Sequence, residues 1–119
     1  MDVLDRFSPA TATWFRATFT GPTVAQRGAW EAVSSGEHTL VVAPTGSGKT
    51  LSAFLWAIDR LLCGQAEPGC RVLYVSPLKA LAVDVERNLR SPLVGIGHTA
   101  RRLGQEVAPV RVAVRSGDT

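Results

Sequence analysis

Several residue types are scarce in this sequence, and each scarcity removes a class of protein. Cys63 and Cys70 are the only cysteines in 119 residues, and His38 and His98 the only histidines. Six residues separate the cysteines, a spacing that matches neither a zinc site nor a disulfide framework. They read as two ordinary thiols in a reducing compartment. Lys49 and Lys79 are the only lysines, so the positive charge is almost all arginine. The net charge of +3 permits nucleic-acid binding without arguing for it. No stretch approaches the roughly 20 apolar residues that cross a bilayer. The start, Met1-Asp2-Val3-Leu4-Asp5, carries acids where a secretory signal has a basic end and an apolar run. The expected location is the cytoplasm, with no membrane partner. There is no repeat and no low-complexity tract.

The hydrophobic content, 45%, is ordinary for a folded chain and excludes disorder as the default state. The length limits the chain to one domain at most. A complete chain of that size buries about two-thirds of its unfolded surface.

Punctuation along the chain gives the elements. Ser8-Pro9 starts a helix, Ser8 as cap and Pro9 in the first turn. That helix runs through Trp14 and Phe15 and breaks at Gly21-Pro22. Thr23 caps a second helix that reaches about Val33, with Trp30 and Val33 on one face, and Ser34-Ser35-Gly36 ends it. Residues 39–42 form a first strand. A helix follows to about Leu62, then a polar loop over 64–69. Residues 71–76 are a second strand with a continuous apolar core, closed by Pro77. Leu78, Leu81, Ala82, Val85 and Leu89 recur at helical spacing. Ser91-Pro92 breaks that helix and starts another, which ends near Gly104. Residues 110–114 are a third strand, and 115–119 a final loop. Trp14, Trp30 and Trp56 are expected in the core. Glu86 and Arg90 are expected as a surface pair, and Arg101-Arg102 as a solvated helix end.

Strands alternating with helices, the strands nearly all apolar, define an α/β fold. Its parallel sheet carries helices on both faces. Ligands in such sheets bind at the carboxyl ends of the strands. At the end of the first strand stands Ala43-Pro44-Thr45-Gly46-Ser47-Gly48-Lys49-Thr50, and a helical pattern follows at once. A strand, a glycine loop and a helix opening on Lys-Thr form a phosphate-binding loop. Glycines let backbone N–H groups approach phosphate, and a helix N-terminus favours negative charge. Lys49 can reach the β- and γ-phosphates, and the Thr50 hydroxyl can ligate Mg²⁺. The full loop pattern begins with glycine, where this chain has Ala43. The remaining core arises by chance in a chain this long only about a few times in a thousand. The expected ligands are therefore a nucleoside triphosphate and Mg²⁺.

Four segments taken in order carry a resemblance to a family. Residues 43–50, with alanine first, are similar to motif I of superfamily-two helicases of the DEAD/DEAH type. Pro22-Thr23-Val24-Ala25-Gln26 resembles their upstream glutamine motif. Ser76-Pro77-Leu78-Lys79-Ala80-Leu81 resembles motif Ia, and Arg115-Ser116-Gly117-Asp118-Thr119 the later nucleic-acid contact motif. The longer string 76–84, with 88–93 nearby, is similar to the large helicase-related (Lhr) proteins. The resemblance spans nearly the whole chain. Motif I alone is shared by many ATPases, whereas the ordered set is specific.

The resemblance implies a P-loop nucleoside triphosphatase fold, the first RecA-like motor lobe of a 3′-to-5′ helicase. Residues 1–36 would be N-terminal helices with the glutamine motif, and 37–119 an incomplete P-loop core. It implies ATP and Mg²⁺ bound by Gln26, Ala43, Pro44, Thr45, Gly46, Ser47, Gly48, Lys49 and Thr50. Of these, Gln26 would read the adenine edge, and Lys49 and Thr50 would serve catalysis. Pro77, Lys79, Ser116, Gly117 and Thr119 would touch the backbone of single-stranded DNA or a DNA–RNA hybrid. Such contacts position the strand and carry no sequence information. The implied role is unwinding, in DNA repair. No acidic Asp-Glu pair follows a later strand, and no second lobe supplies an arginine finger, so the expectation is a fragment of a longer helicase chain. Two alternatives stand beside it: a nucleotide-binding remnant without catalysis, and another phosphate-loop enzyme such as a small-molecule kinase.

Overall fold

The computed structural model describes residues 2–44, 48–64, 69–77 and 79–117. Its regular elements among these are a 3₁₀ turn, Val3–Arg6, and four helices: α1 Pro9–Thr18, α2 Val24–Ser34, α3 Lys49–Cys63 and α4 Lys79–Leu103.

Local chemistry sets the starts of the first elements. Asp2 caps the 3₁₀ turn by accepting from the Leu4 N–H. Ser8 caps α1 with Pro9 in the first turn. Thr23 and Gln26 form a reciprocal capping box on α2: the Thr23 hydroxyl accepts from the Gln26 N–H at 3.1 Å, and Gln26 Oε1 accepts from the Thr23 N–H at 2.9 Å. Such a box satisfies two N–H groups that the helix leaves open.

Packing follows the apolar faces. α1 lies on α4, α2 on α3, and the 3₁₀ turn closes over α1 and α2. Phe7, Phe15 and Trp30 meet at the centre. Phe7 and Trp30 are edge to face at 5.1 Å, and Phe15 and Trp30 at 5.5 Å. This geometry lets the positive ring edge meet the negative face. Trp14 is buried as well, and Trp56 is half-buried with the Arg60 guanidinium 4.4 Å over its ring. Glu86 and Arg90 pair on the surface at 3.6 Å.

A buried carboxylate ties α3 to α1. Asp59 is fully buried. It accepts from the Ser8 hydroxyl and the Thr11 hydroxyl, each at 2.7 Å, and from the Ser8 N–H at 3.2 Å. Arg60 supplies the countercharge at 2.6 Å. From the other side, Gln105 Oε1 accepts from the Ala10 N–H at 2.9 Å. The N-terminus of α1, where anions are favoured, is thus held by one group from the middle of the chain and one from near its C-terminal end.

One expectation is corrected. Ser91-Pro92 does not divide a helix: α4 runs through Pro92 without interruption. Proline there removes the N–H that would bond the carbonyl four residues back. Leu89, before it, and Ile96 and Ala100, after it, all enter the same core, and that shared burial holds one axis across the defect. The start expected near Leu78 lies outside the described residues.

The three stretches expected as strands are present as separate segments. Residues 39–42, 71–76 and 110–114 belong to no strand ladder among the described residues. A strand is defined by hydrogen bonds to a neighbour, and extended apolar sequence alone does not supply one. The side chains nevertheless alternate. Leu73 and Val75 are 80% and 78% exposed, whereas Val72 and Tyr74 are 41% and 46%. Tyr74 meets Phe54 of α3, ring centroids 5.2 Å apart. Leu40 and Val42 are exposed and Val41 between them is half-buried. Val110 packs on the helical core. In 72–75 exposure thus alternates in the period of two that a sheet requires, and Tyr74 and Val110 are turned toward the helices.

Candidate nucleotide site

The site begins where α3 begins. Asp2, Ser8 and Thr23 each offer a side-chain acceptor to the element that follows, but the cap of α3 is Gly48, which has none. Among the described residues no side chain caps its first turn, and open N–H groups at a helix start are the arrangement that binds phosphate. Lys49 is the first residue of this turn and exposed. Thr50 is the second and half-buried.

Glycine is required at position 48 for two reasons. Its φ is +82°, a region that side chains disfavour. A Cβ there would also collide with Gln26 Nε2. Gln26, buried on the first turn of α2, donates from that nitrogen to the Gly48 carbonyl at 3.3 Å. Its Oε1 is held by the Thr23 N–H. Both ends of the amide therefore bond to backbone, one of them at the phosphate loop.

Beside this contact lies a groove of about 310 Å³, lined by Thr23, Val24, Ala25, Val42, Ala43 and Pro44. It joins the first turn of α2 to the segment that enters the loop, so Ala43 and Pro44 come together with Thr23. Thr45, Gly46 and Ser47 of the expected loop lie outside the described residues. Pro77 precedes α4 and Lys79 is its first residue. Ser116 is half-buried and Gly117 exposed beyond the third extended segment. None of these four takes part in the hydrogen bonds that join Gln26 to Gly48. Thr119 lies outside the described residues.

Sequence reasoning missed Asp59, Gln105 and the bond of Trp30. Asp59 had a visible signal: it is an acid inside the apolar stripe Leu55, Ile58 and Leu62 of α3, where a charge survives only with partners. For Trp30, the reading as a core residue hid its donor, Nε1, which bonds the Leu51 carbonyl at 3.1 Å. Gln105 follows the end of α4 and carries no pattern that points to α1.

The DEAD/DEAH box helicase model matches residues 23–113, and the chain belongs to that family. Within it, the chain is similar to the Lhr helicases. It is 62% identical over 120 residues to the Lhr helicase/probable uracil glycosylase of Mycolicibacterium smegmatis, covering 99% of this chain and 8% of that protein. Against the Lhr helicase/uracil glycosylase of Escherichia coli the identity is 49%, over 97% of this chain and 8% of the relative. The structure of Mycobacterium smegmatis helicase Lhr bound to ssDNA and AMP-PNP superposes with a TM-score of 0.93 at 62% identity. That match covers all of this chain and 15% of the solved one. The chain thus spans less than a tenth of the length of these two curated relatives. No helix among the described residues is long and apolar enough to cross a membrane.

Proposed function

We propose that this chain is the ATP-binding part of the first motor lobe of an ATP-dependent helicase. The observation that carries the reading is the start of α3: a glycine cap at φ +82°, no side-chain cap among the described residues, and Lys49 and Thr50 as its first residues. In this reading the first-turn N–H groups and Lys49 hold the β- and γ-phosphates. The 43–50 loop cradles the triphosphate, and the groove beside Thr23, Ala43 and Pro44 takes the nucleoside end, where Gln26 favours adenine. Segments 39–42, 71–76 and 110–114 are parallel strands of the lobe.

Mg²⁺ fits as a passenger of the nucleotide. Among the described residues no group of three or more His, Cys, Asp or Glu could hold a metal ion. Magnesium seldom needs one, because it keeps waters and takes phosphate oxygens with one or two protein ligands. The Thr50 hydroxyl is the protein oxygen on hand. Held there, the ion would supply positive charge that offsets the charge of the phosphates.

The solved Lhr relative bound to ssDNA supports a single-stranded DNA partner. On that basis Pro77, Lys79, Ser116, Gly117 and Thr119 touch the strand backbone. Movement from 3′ to 5′, unwinding of DNA–RNA hybrids, a repair role and a cytoplasmic location extend the same reading. The second reading, nucleotide binding without turnover, is favoured by the three unladdered segments, since phosphoryl transfer depends on positioning.

Titration of the chain with AMP-PNP and Mg²⁺ tests the proposal. Binding should weaken at least tenfold in Lys49→Ala, about 1.4 kcal/mol or more. Equal binding by the variant, or none by the parent, overturns the phosphate site. Turnover stimulated by single-stranded DNA favours the motor, and binding without turnover favours the second reading.

A further inference from the structure

Two side chains of α2 reach the same turn of α3. Gln26 and Trp30 are four residues apart and so share one face of α2. Gln26 Nε2 donates to the Gly48 carbonyl at 3.3 Å, and Trp30 Nε1 to the Leu51 carbonyl at 3.1 Å. Lys49 and Thr50 stand between those two carbonyls. The Gly48 carbonyl is further fixed by the Ser52 N–H at 3.0 Å and the Ser52 hydroxyl at 3.1 Å.

Trp30 has little freedom. It is fully buried, with Phe7 and Phe15 edge to face against it. Its single donor therefore points in a fixed direction, at a carbonyl in the first turn of α3. First turns fray because their N–H groups lack helical partners. A turn held at one carbonyl can pivot, and a turn held at two, one on each side of Lys49 and Thr50, cannot.

We propose that Trp30 is a positioning residue of the phosphate site. With Gln26 it brackets the turn that carries Lys49 and Thr50, so that its N–H groups are aligned before the anion arrives. The inference rests on the phosphate-site reading above and adds to it a residue outside the phosphate loop. Its advantage is preorganisation: a turn that is already ordered loses less freedom on binding.

Trp30→Phe tests it in the full chain, keeping an aromatic ring and removing the donor. Affinities for AMP-PNP and for AMP, each with Mg²⁺, are measured by competition, and amide hydrogen exchange is followed over residues 49–52. Loss of the bracket should weaken AMP-PNP by about five- to twentyfold and AMP by less than twofold, with faster exchange in that turn. A purely structural role would lower the melting temperature and weaken both nucleotides alike. If the phenylalanine variant does not fold, 3-benzothienylalanine at position 30, which replaces the N–H by sulfur, gives the same readout. Equal AMP-PNP to AMP ratios in parent and variant overturn the bracket and leave the phosphate site standing. Failure of the parent chain to bind AMP-PNP overturns the phosphate site and the bracket with it.

Discussion

A methyl group at position 48 would meet a disfavoured φ and the amide of Gln26 together. Gly48→Ala should therefore cost about 2–3 kcal/mol and abolish AMP-PNP binding; urea denaturation and calorimetry read the two effects. Asp59 is the corresponding residue away from the site. Removing its carboxylate leaves the Ser8 N–H, the buried Thr11 hydroxyl and the Arg60 guanidinium without their acceptor. Asp59→Ala should destabilise by about 3–5 kcal/mol, seen as a lower urea midpoint, with Lys49 untouched. Asp2 gives the pH dependence. The Leu4 N–H and the neighbouring Arg16 hold its carboxyl below the usual range, against a smaller opposing effect of burial. A depressed folded value means that its stabilisation is present above the ordinary carboxylate range and is lost as pH falls through the folded value. Asp2→Asn should flatten the acid limb of a stability profile below about pH 4, lowering stability at neutral pH and leaving the strongly acid end nearly unchanged. The caps Ser8 and Thr23 were legible at this scale because each acts on backbone three residues on, whereas the return bond of Gln26 to Thr23 was not foreseen. The partners of Asp59 were not legible, since they are 48 and 51 residues away.

Among the elements, α4 shows best how tertiary packing overrules local punctuation. Its proline reads as a break in sequence, yet burial of Leu89, Ile96 and Ala100 in one core keeps the helix whole. Pro92→Ala should restore a helical N–H and stabilise the chain by about 1–2 kcal/mol after some loss of buried ring contact. A higher melting temperature would show it, and a lower one would mean that the ring packing dominates. Gly95 on the same helix lets it approach α1: a Cβ there would strike Trp14 Nε1. Helix periodicity revealed the apolar stripe of α4 but could not reveal which glycine in it was the point of closest approach. That depends on the partner helix, which periodicity does not name.

For the molecule as a whole, the accessible surface is 8065 Å², against about 6,200 Å² for a folded chain of this mass. The excess is roughly twice what one partner buries in a standard protein interface, and Leu40, Val42, Leu73 and Val75 are among the exposed apolar residues. The α/β pattern was legible as three apolar segments in sequence, but a ladder needs neighbouring strands, and none forms among the described residues. The chain in isolation should self-associate through these faces, and Leu73→Lys with Val75→Lys should reduce it; sedimentation velocity distinguishes the two. The bond from Ala10 to Gln105 spans 95 residues, and that distance is also a delay. At a synthesis rate of roughly 5–20 residues per second, α1 leaves the ribosome about 5–20 s before its closing partner exists. Through that interval its core face is open, and it is then that a chaperone has most to gain by binding it.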